Sequence, residues 1–144
     1  MRFPLFIDLS DKRAVVVGGG RVGLRRVAEL EKFGAHVTVI SPGISGSIGR
    51  AKHIARKYKK GDLEGSFLAV AATNDREVNR AIGVEAGVLG VYVSVADCAE
   101  ECSFYFPAIC QGDGLVAGVV SNGGDHSKTA AAAKEIRKIL SKGF

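Results

Sequence analysis

Gly18, Gly20 and Gly23 stand in the spacing G-x-G-x-x-G, with Gly19 in the first gap, inside the stretch AVVVGGGRVGLRR (14–26). An apolar run precedes them and a helical pattern follows. In that context each glycine has a physical task. Gly18 permits a tight turn, Gly20 lets a pyrophosphate approach the backbone, and Gly23 lets the helix pack close to the strand. Phosphates would then meet free N–H groups where Arg21 and Val22 open the helix. The chemistry implied is dinucleotide binding, with Gly18, Gly19, Gly20, Arg21, Val22 and Gly23 as its expected contacts.

The identity of the dinucleotide is not decided by these residues. A NAD site usually carries Asp or Glu about 20 residues on, at the end of the second strand, for the ribose hydroxyls. Here that place reads Ile40-Ser41-Pro42, with no carboxylate. Ser41 offers a weaker hydrogen bond, and Arg50 or Lys52 would suit a 2′-phosphate, so NAD and NADP stand level on chemistry alone. Thr73 and Asn74, in AATND (71–75), fall where a fourth strand ends and should face the cofactor; the same residues also suit a helix cap. Asp97 ends a fifth strand at that same edge. A carboxylate there can accept a proton while a hydride leaves a substrate, which makes Asp97 the candidate catalytic residue, with a plain turn aspartate as the alternative. Among the three histidines only His126, beside Asn122-Gly123-Gly124, is placed to reach a site. Cys98, Cys102 and Cys110 have no histidine near them in sequence and read as free, partly buried thiols, not as a disulfide framework or a metal site.

Those residues need a scaffold that brings strand ends together. KRAVVVG (12–18) and SFLAVAAT (66–73) are continuous apolar runs, as buried parallel strands require. AHVTVIS (35–41), KHIARKY (52–58) and VYVSVAD (91–97) read as further strands, KHIARKY as an edge strand guarded by lysines. Residues 21–33 form a helix closed by Gly34, and residues 75–87 form another with Asp75 near its start. The expected fold class is α/β: a Rossmann-like, doubly wound parallel sheet over 1–110, then a short β-β-α dimerisation segment over 111–144. In that second part SFYFPAI (103–109) and GLVAGVVSNGG (114–124) read as strands, and residues 127–142 as a helix with Ser127 as N-cap.

Composition narrows the class further. The chain has 144 residues, 47% of them apolar and 24% charged, enough for a core and the size of about one domain. No apolar run reaches the ~20 residues a bilayer span needs, and MRFPLFIDLS is too short and too soon charged for a signal peptide. A cytoplasmic protein without membrane contact is expected. Twenty basic residues against 15 acidic give +5, concentrated in RAKHIARKYKK (50–60). No nucleic-acid motif accompanies that stripe, which reads equally well as an edge strand, so the charge points to an anionic partner, a small substrate among the options, and no further; no nucleic-acid partner is expected.

Taken in order, PLFIDLSDKRAVVVGGGRVGLRR, VTVISP, AATNDREVNRAI, VSVAD with SFYFPAI six residues after the Asp, and VVSNGG resemble the precorrin-2 dehydrogenase family, the N-terminal type of siroheme synthase. The resemblance runs from about Phe3 to about Leu140. It implies NAD-dependent oxidation of precorrin-2 to sirohydrochlorin, with chelatase activity left open; the β elements after Cys98 and the last helix are expected to build a homodimer. It also implies NAD as cofactor despite the missing carboxylate, cofactor contacts at Gly18 to Val22, Ser41, Pro42, Thr73 and Asn74, and an essential aspartate at Asp97. Precorrin-2 carries many carboxylates, and Arg25, Asn122 and His126 are the expected substrate contacts, with Arg50 or Lys52 contributing to binding or steering. The family reads Ser-Gly-Gly followed by Ser-Pro where this chain has Asn122-Gly123-Gly124-Asp125-His126, and it usually continues into a helical domain that residues 1–144 do not include. Two other readings stand beside it: a ferrochelatase or tetrapyrrole-binding protein without redox chemistry, and a nucleotide-sensing module of the potassium-uptake type. The latter normally keeps the acid that Ser41-Pro42 replaces.

Overall fold

The computed structural model describes residues 2–143 and divides them into two compact units. Residues 7–104 form one. Residues 2–6 and 105–143 form the other.

The first unit contains β1 (Arg13–Val17), α1 (Arg21–Lys32), β2 (His36–Ile40), β3 (Lys52–Ile54), β4 (Leu68–Ala71), α2 (Arg76–Leu89), β5 (Tyr92–Val95) and a 3-10 turn (Ala99–Glu101). The five strands are all parallel, in the order β3-β2-β1-β4-β5. β1 and β4 are central and apolar at almost every position because both their faces are covered. β2 and β5 lie on opposite sides of that centre, so right-handed crossovers put α1 and α2 on opposite faces. Val15, Val17, Ile40, Leu63, Ala71, Ile82, Ala86 and Val93 belong to one buried cluster. This is the Rossmann-like, doubly wound α/β sheet that the sequence implies.

Local chemistry fixes the helix ends. Gly34, at φ +85°, takes the left-handed conformation that closes α1. Asp75 caps α2 by accepting from the N–H groups of Glu77 and Val78. The inward side of α2 carries Ile82 and Ala86, but also two buried polar residues, Asn79 and Glu85. Glu85 accepts from the Tyr58 hydroxyl and from Gly61 N (2.7 Å), which pins the β3–β4 connection onto the helix. Burial, then the bond to Glu85, pushes the Tyr58 hydroxyl pKa well above its ordinary value. β5 is a sheet edge whose outer groups are nonetheless paired. Val93 N donates to Ser103 Oγ (2.8 Å), Ser103 N donates to Val93 O (2.9 Å), and Val95 N meets Cys102 Sγ (3.1 Å).

In the second unit β6 (Ala108–Gly112) and β7 (Leu115–Val119) form an antiparallel hairpin. Asp113 and Gly114, both at positive φ, make its two-residue turn. α3 (His126–Leu140) packs on the hairpin through Cys110, Ala133 and Leu140. All three cysteines are free, and no helix among the described residues is long and apolar enough to cross a membrane.

Several boundaries differ from the sequence expectation: the strand read over 114–124 spans only Leu115–Val119, and three further shifts have a visible cause. The third strand stops at Ile54 because Arg56 N turns back to Ile54 O (2.9 Å) and its guanidinium pairs with Asp62. The strand expected over 103–109 begins only at Ala108, just after Pro107, which has no N–H to give a ladder. The cap of α3 is Asp125, whose carboxylate accepts from Lys128 N (2.9 Å), and not Ser127, which lies inside the helix.

Asp125→Ala should therefore cost about 1 kcal/mol, read from the helical signal during urea unfolding, while Ser127→Ala should leave it nearly unchanged. Equal effects would contradict the cap. A second expectation follows from Asp62, whose carboxyl is held below the ordinary carboxylate range mainly by the hydrogen bond from Arg56. A depressed carboxylate stabilises the fold above its unfolded pKa, and that contribution is lost as pH falls through the lower folded value. Wild type should exceed Asp62→Asn in unfolding stability at neutral pH, and the gap should close in acid below the ordinary carboxylate range.

Candidate active site

The parallel register brings four strand ends to one level. Val17 pairs with Ile40 and Ala71, and Ala71 pairs with Val95, so Gly18, Ser41, Ala72 and Ala96 share the carboxyl edge of the sheet. Between β1 and β4 the chain connections diverge, and ligands of such sheets bind in that crevice.

The glycines are packed as their spacing implies. A Cβ on Gly18 (φ +119°) would lie 2.2 Å from the Ala72 carbonyl oxygen, one on Gly19 2.1 Å from that of Gly43, and one on Gly23 2.2 Å from that of Gly18. Backbone therefore lies directly on backbone at three points. Gly20 is different. It has ordinary extended angles (φ −83°, ψ −175°), and a Cβ there would meet nothing within 4 Å. The fold does not need glycine at 20, whereas a phosphate approaching the start of α1 does. No side chain caps that helix and no acid sits in its first turn, where Arg21 and Val22 are exposed. An uncapped N-terminus beside an open position fits a dinucleotide pyrophosphate.

At the end of β2 the buried Ser41 hydroxyl donates to Gly43 O (2.7 Å), and both N and Oγ of Ser45 donate to Gly19 O (2.9 and 3.1 Å). Ser41 thus braces the 41–45 loop against the glycine turn, with Pro42 exposed beside it. Ser45 was not singled out from sequence. No acid occurs between Glu31 and Asp62, so no carboxylate replaces the missing ribose partner. Arg50 and Lys52 do not reach a 2′-phosphate position. With Arg13, Glu31 and His36 they line a cleft of about 620 Å³ at the opposite, amino end of the strands.

At the end of β4 and β5 a polar cluster forms. Asp97 Oδ2 accepts from Asn79 Nδ2 (3.0 Å), and Asp97 Oδ1 accepts from Arg76, which also binds Glu101. Hydrogen bonding to Glu101 first, then the charges of Asp97 and Glu101, raise the Arg76 pKa further. Asn79 Oδ1 accepts from Thr73 N (3.0 Å) and Thr73 Oγ1 (2.7 Å), and Asn79 Nδ2 also donates to Thr73 O (3.0 Å). Asn74 is exposed in the turn between Thr73 and the cap Asp75. The structure thus joins Thr73 and Asp97, two residues named from sequence, through Asn79, with Arg76 holding Asp97 from its other side; neither Asn79 nor Arg76 was singled out. The available signal was a buried-side pattern: Asn79 occupies the inward stripe of α2 with Ile82 and Ala86, where an apolar residue is expected. Arg25 is exposed on α1, while Asn122 and His126 belong to the hairpin unit, Asn122 accepting from Arg2 N (3.4 Å).

The family model described as "Putative NAD(P)-binding" (NAD_binding_7) matches residues 5–108, most of the chain. The chain belongs to this family. Within this NAD(P)-binding family, it is 46% identical over 145 aligned positions to the "Probable multifunctional siroheme biosynthesis protein HemA" of Ruminiclostridium josui, covering 96% of this chain and 28% of that protein. It is 40% identical over 126 positions to a siroheme synthase of Methylobacillus flagellatus, covering 83% of this chain and 27% of the relative. The chain thus spans little more than a quarter of these curated relatives. A solved structure of SirC, precorrin-2 dehydrogenase, superposes with a TM-score of 0.82 at 24% identity over 98% of this chain and 72% of that one, which shows a shared fold.

Gly20→Ala tests the cradle directly. Its melting temperature should hold or rise slightly, since alanine suits the local angles, while affinity for the dinucleotide in calorimetry falls at least about tenfold. Unchanged affinity would contradict phosphate approach at Gly20. Gly23→Ala should lower both, because its methyl meets backbone.

Proposed function

We propose that this chain is an NAD-dependent dehydrogenase that converts precorrin-2 to sirohydrochlorin, acting in the cytoplasm as a homodimer. The observation that carries this reading is the Asp97 carboxylate, held beside Thr73 at the same sheet edge as the glycine turn. The names of the relatives agree with it, as does the fold shared with SirC.

Removing two hydrogens from such a substrate releases one as hydride and one as a proton. Gly18 to Gly23, with Ser41, Pro42, Thr73 and Asn74, would hold NAD, which when bound supplies the hydride acceptor. The proton falls to Asp97. Each of its oxygens accepts one hydrogen bond from the protein, and a carboxylate oxygen can accept two. One lone pair on each oxygen is therefore left to take a proton or to orient a pyrrole N–H. Arg21 and Arg25 place positive charge on the exposed side of α1, whereas Arg76 is already matched by Asp97 and Glu101. A polycarboxylate substrate is attracted to such a field, and Arg25 is its proposed contact. Three free thiols suit a reducing compartment. Leu115, Val116 and Val120, exposed on or just after β7, support self-association of the hairpin unit.

The decisive assay generates precorrin-2 in situ with NAD+ and follows NADH and sirohydrochlorin spectrally. Wild type should turn over, and Asp97→Ala should be slower by at least about a hundredfold. Either a silent wild type or an undiminished Asp97→Ala would refute the mechanism.

A further inference from the structure

The amide of Asn79 is fully buried, and its hydrogen-bonding capacity is fully used. A primary amide offers two N–H donors and one oxygen with two lone pairs. Both donors are taken, by Thr73 O and Asp97 Oδ2, and both lone pairs are taken, by Thr73 N and Thr73 Oγ1. The network also fixes which end is which. Thr73 N–H can only donate, so it must face the amide oxygen, and the NH2 group is left pointing at Asp97. A helical residue in the wall of the site thereby grips the end of β4 with three bonds and the carboxylate after β5 with the fourth.

We propose that Asn79 is the positioning residue of this site, a single buried amide that holds the Asp97 carboxylate at a fixed distance and orientation from the cofactor edge at Thr73. The inference rests on the dehydrogenase reading above. Asn79 touches neither substrate nor cofactor in this scheme and acts through Asp97. Carboxylates on flexible turns lose orientation, and small displacements of a reacting group cost large factors in rate. Arg76 cannot supply the same constraint, because it is partly exposed and shared with Glu101. The charged and titratable groups around Asp97 are Arg76 from α2, Glu101 from the 3-10 turn and the neighbouring Cys98 thiol.

Asn79→Asp separates this role from a structural one. It is nearly isosteric, keeps an acceptor for Thr73 N and Oγ1, and replaces the amide that donates to both Asp97 and Thr73 O by a second carboxyl group, whose proton, when present, serves only one of them. Two carboxyls this close share a proton, so the pair titrates higher than one alone. We expect NAD+ affinity within about threefold of wild type, kcat with precorrin-2 at least about tenfold lower at neutral pH, and the acid limb of the rate profile displaced upward by about one pH unit or more. Carbon-13 NMR of the Asp97 carboxyl in the ligand-free protein should show the same upward displacement. In an Asp97→Ala background, Asn79→Asp should remove little further activity, since residues that act as a unit are non-additive. Fully additive losses, an unmoved acid limb, or an NAD+ affinity that falls with the rate would overturn the positioning role. If Asn79→Asp does not fold, Asn79→Ser, which also lacks the amide donor, is read by the same cycle. A wild type that forms no NADH from precorrin-2 removes the dehydrogenase reading and this role with it, whereas an active wild type with an additive cycle removes this role alone.

Discussion

At the end of β1 the backbone turns so close to the end of β4 that there is no room for a side chain. The Gly18 position, hard against the Ala72 carbonyl, is the contact on which the rest of the edge depends. It brings the start of α1 over the crevice between the two central strands. It also leaves Thr73 as the next residue along, already within hydrogen-bonding distance of α2 through Asn79. Gly19 and Gly23 extend the same compression to the 41–45 loop and to α1. Any residue with a Cβ at these points would push the turn, the helix or the loop away from the sheet, and the crevice would lose its shape before it lost its charges.

The polar side of the edge is organised differently from the glycine side. There the order comes from saturated hydrogen bonds in a buried place, where an unpaired group is costly. Asn79 and Glu85 both sit on the inward stripe of α2, one holding the β4 end and Asp97, the other holding Tyr58 and Gly61. α2 is therefore more than a cover for the sheet. It is the element through which two loops at separate ends of the chain segment 55–97 are fixed.

Much of the scaffold was legible because its causes are local. Continuous apolar runs marked β1 and β4, Gly34 marked the end of α1, and Asp75 marked the start of α2. The glycine spacing located the turn at Gly18, and strand order put Thr73 and Asp97 at the same edge. What was not legible depends on partners distant in sequence. Asn79 is informative only once Asp97, eighteen residues on, is known to face it. Arg56 ends β3 through Asp62, and that pair has no periodic signature. The choice of Asp125 over Ser127 as a cap turns on two residues, below the resolution of a hydrophobic pattern. That Arg50 and Lys52 line the cleft at the amino end of the strands, away from the glycine turn, was not legible either, because a strand's direction fixes which edge its first residues meet, and periodicity says nothing about direction.

The rim of β5 has a wider consequence. In a parallel sheet the last strand normally presents a row of unpaired backbone groups, the surface on which other chains polymerise. Here Ser103 and the Cys102 thiol occupy that row from within the same unit. The opposite rim, β3, is only three residues long and begins with Lys52. With one rim plugged and the other short and charged, the sheet resists growth by strand addition in either direction. Part of that resistance rests on a sulfur atom: a reagent that alkylates or oxidises Cys102 would strip the plug from Val95 N and open this rim to strand addition.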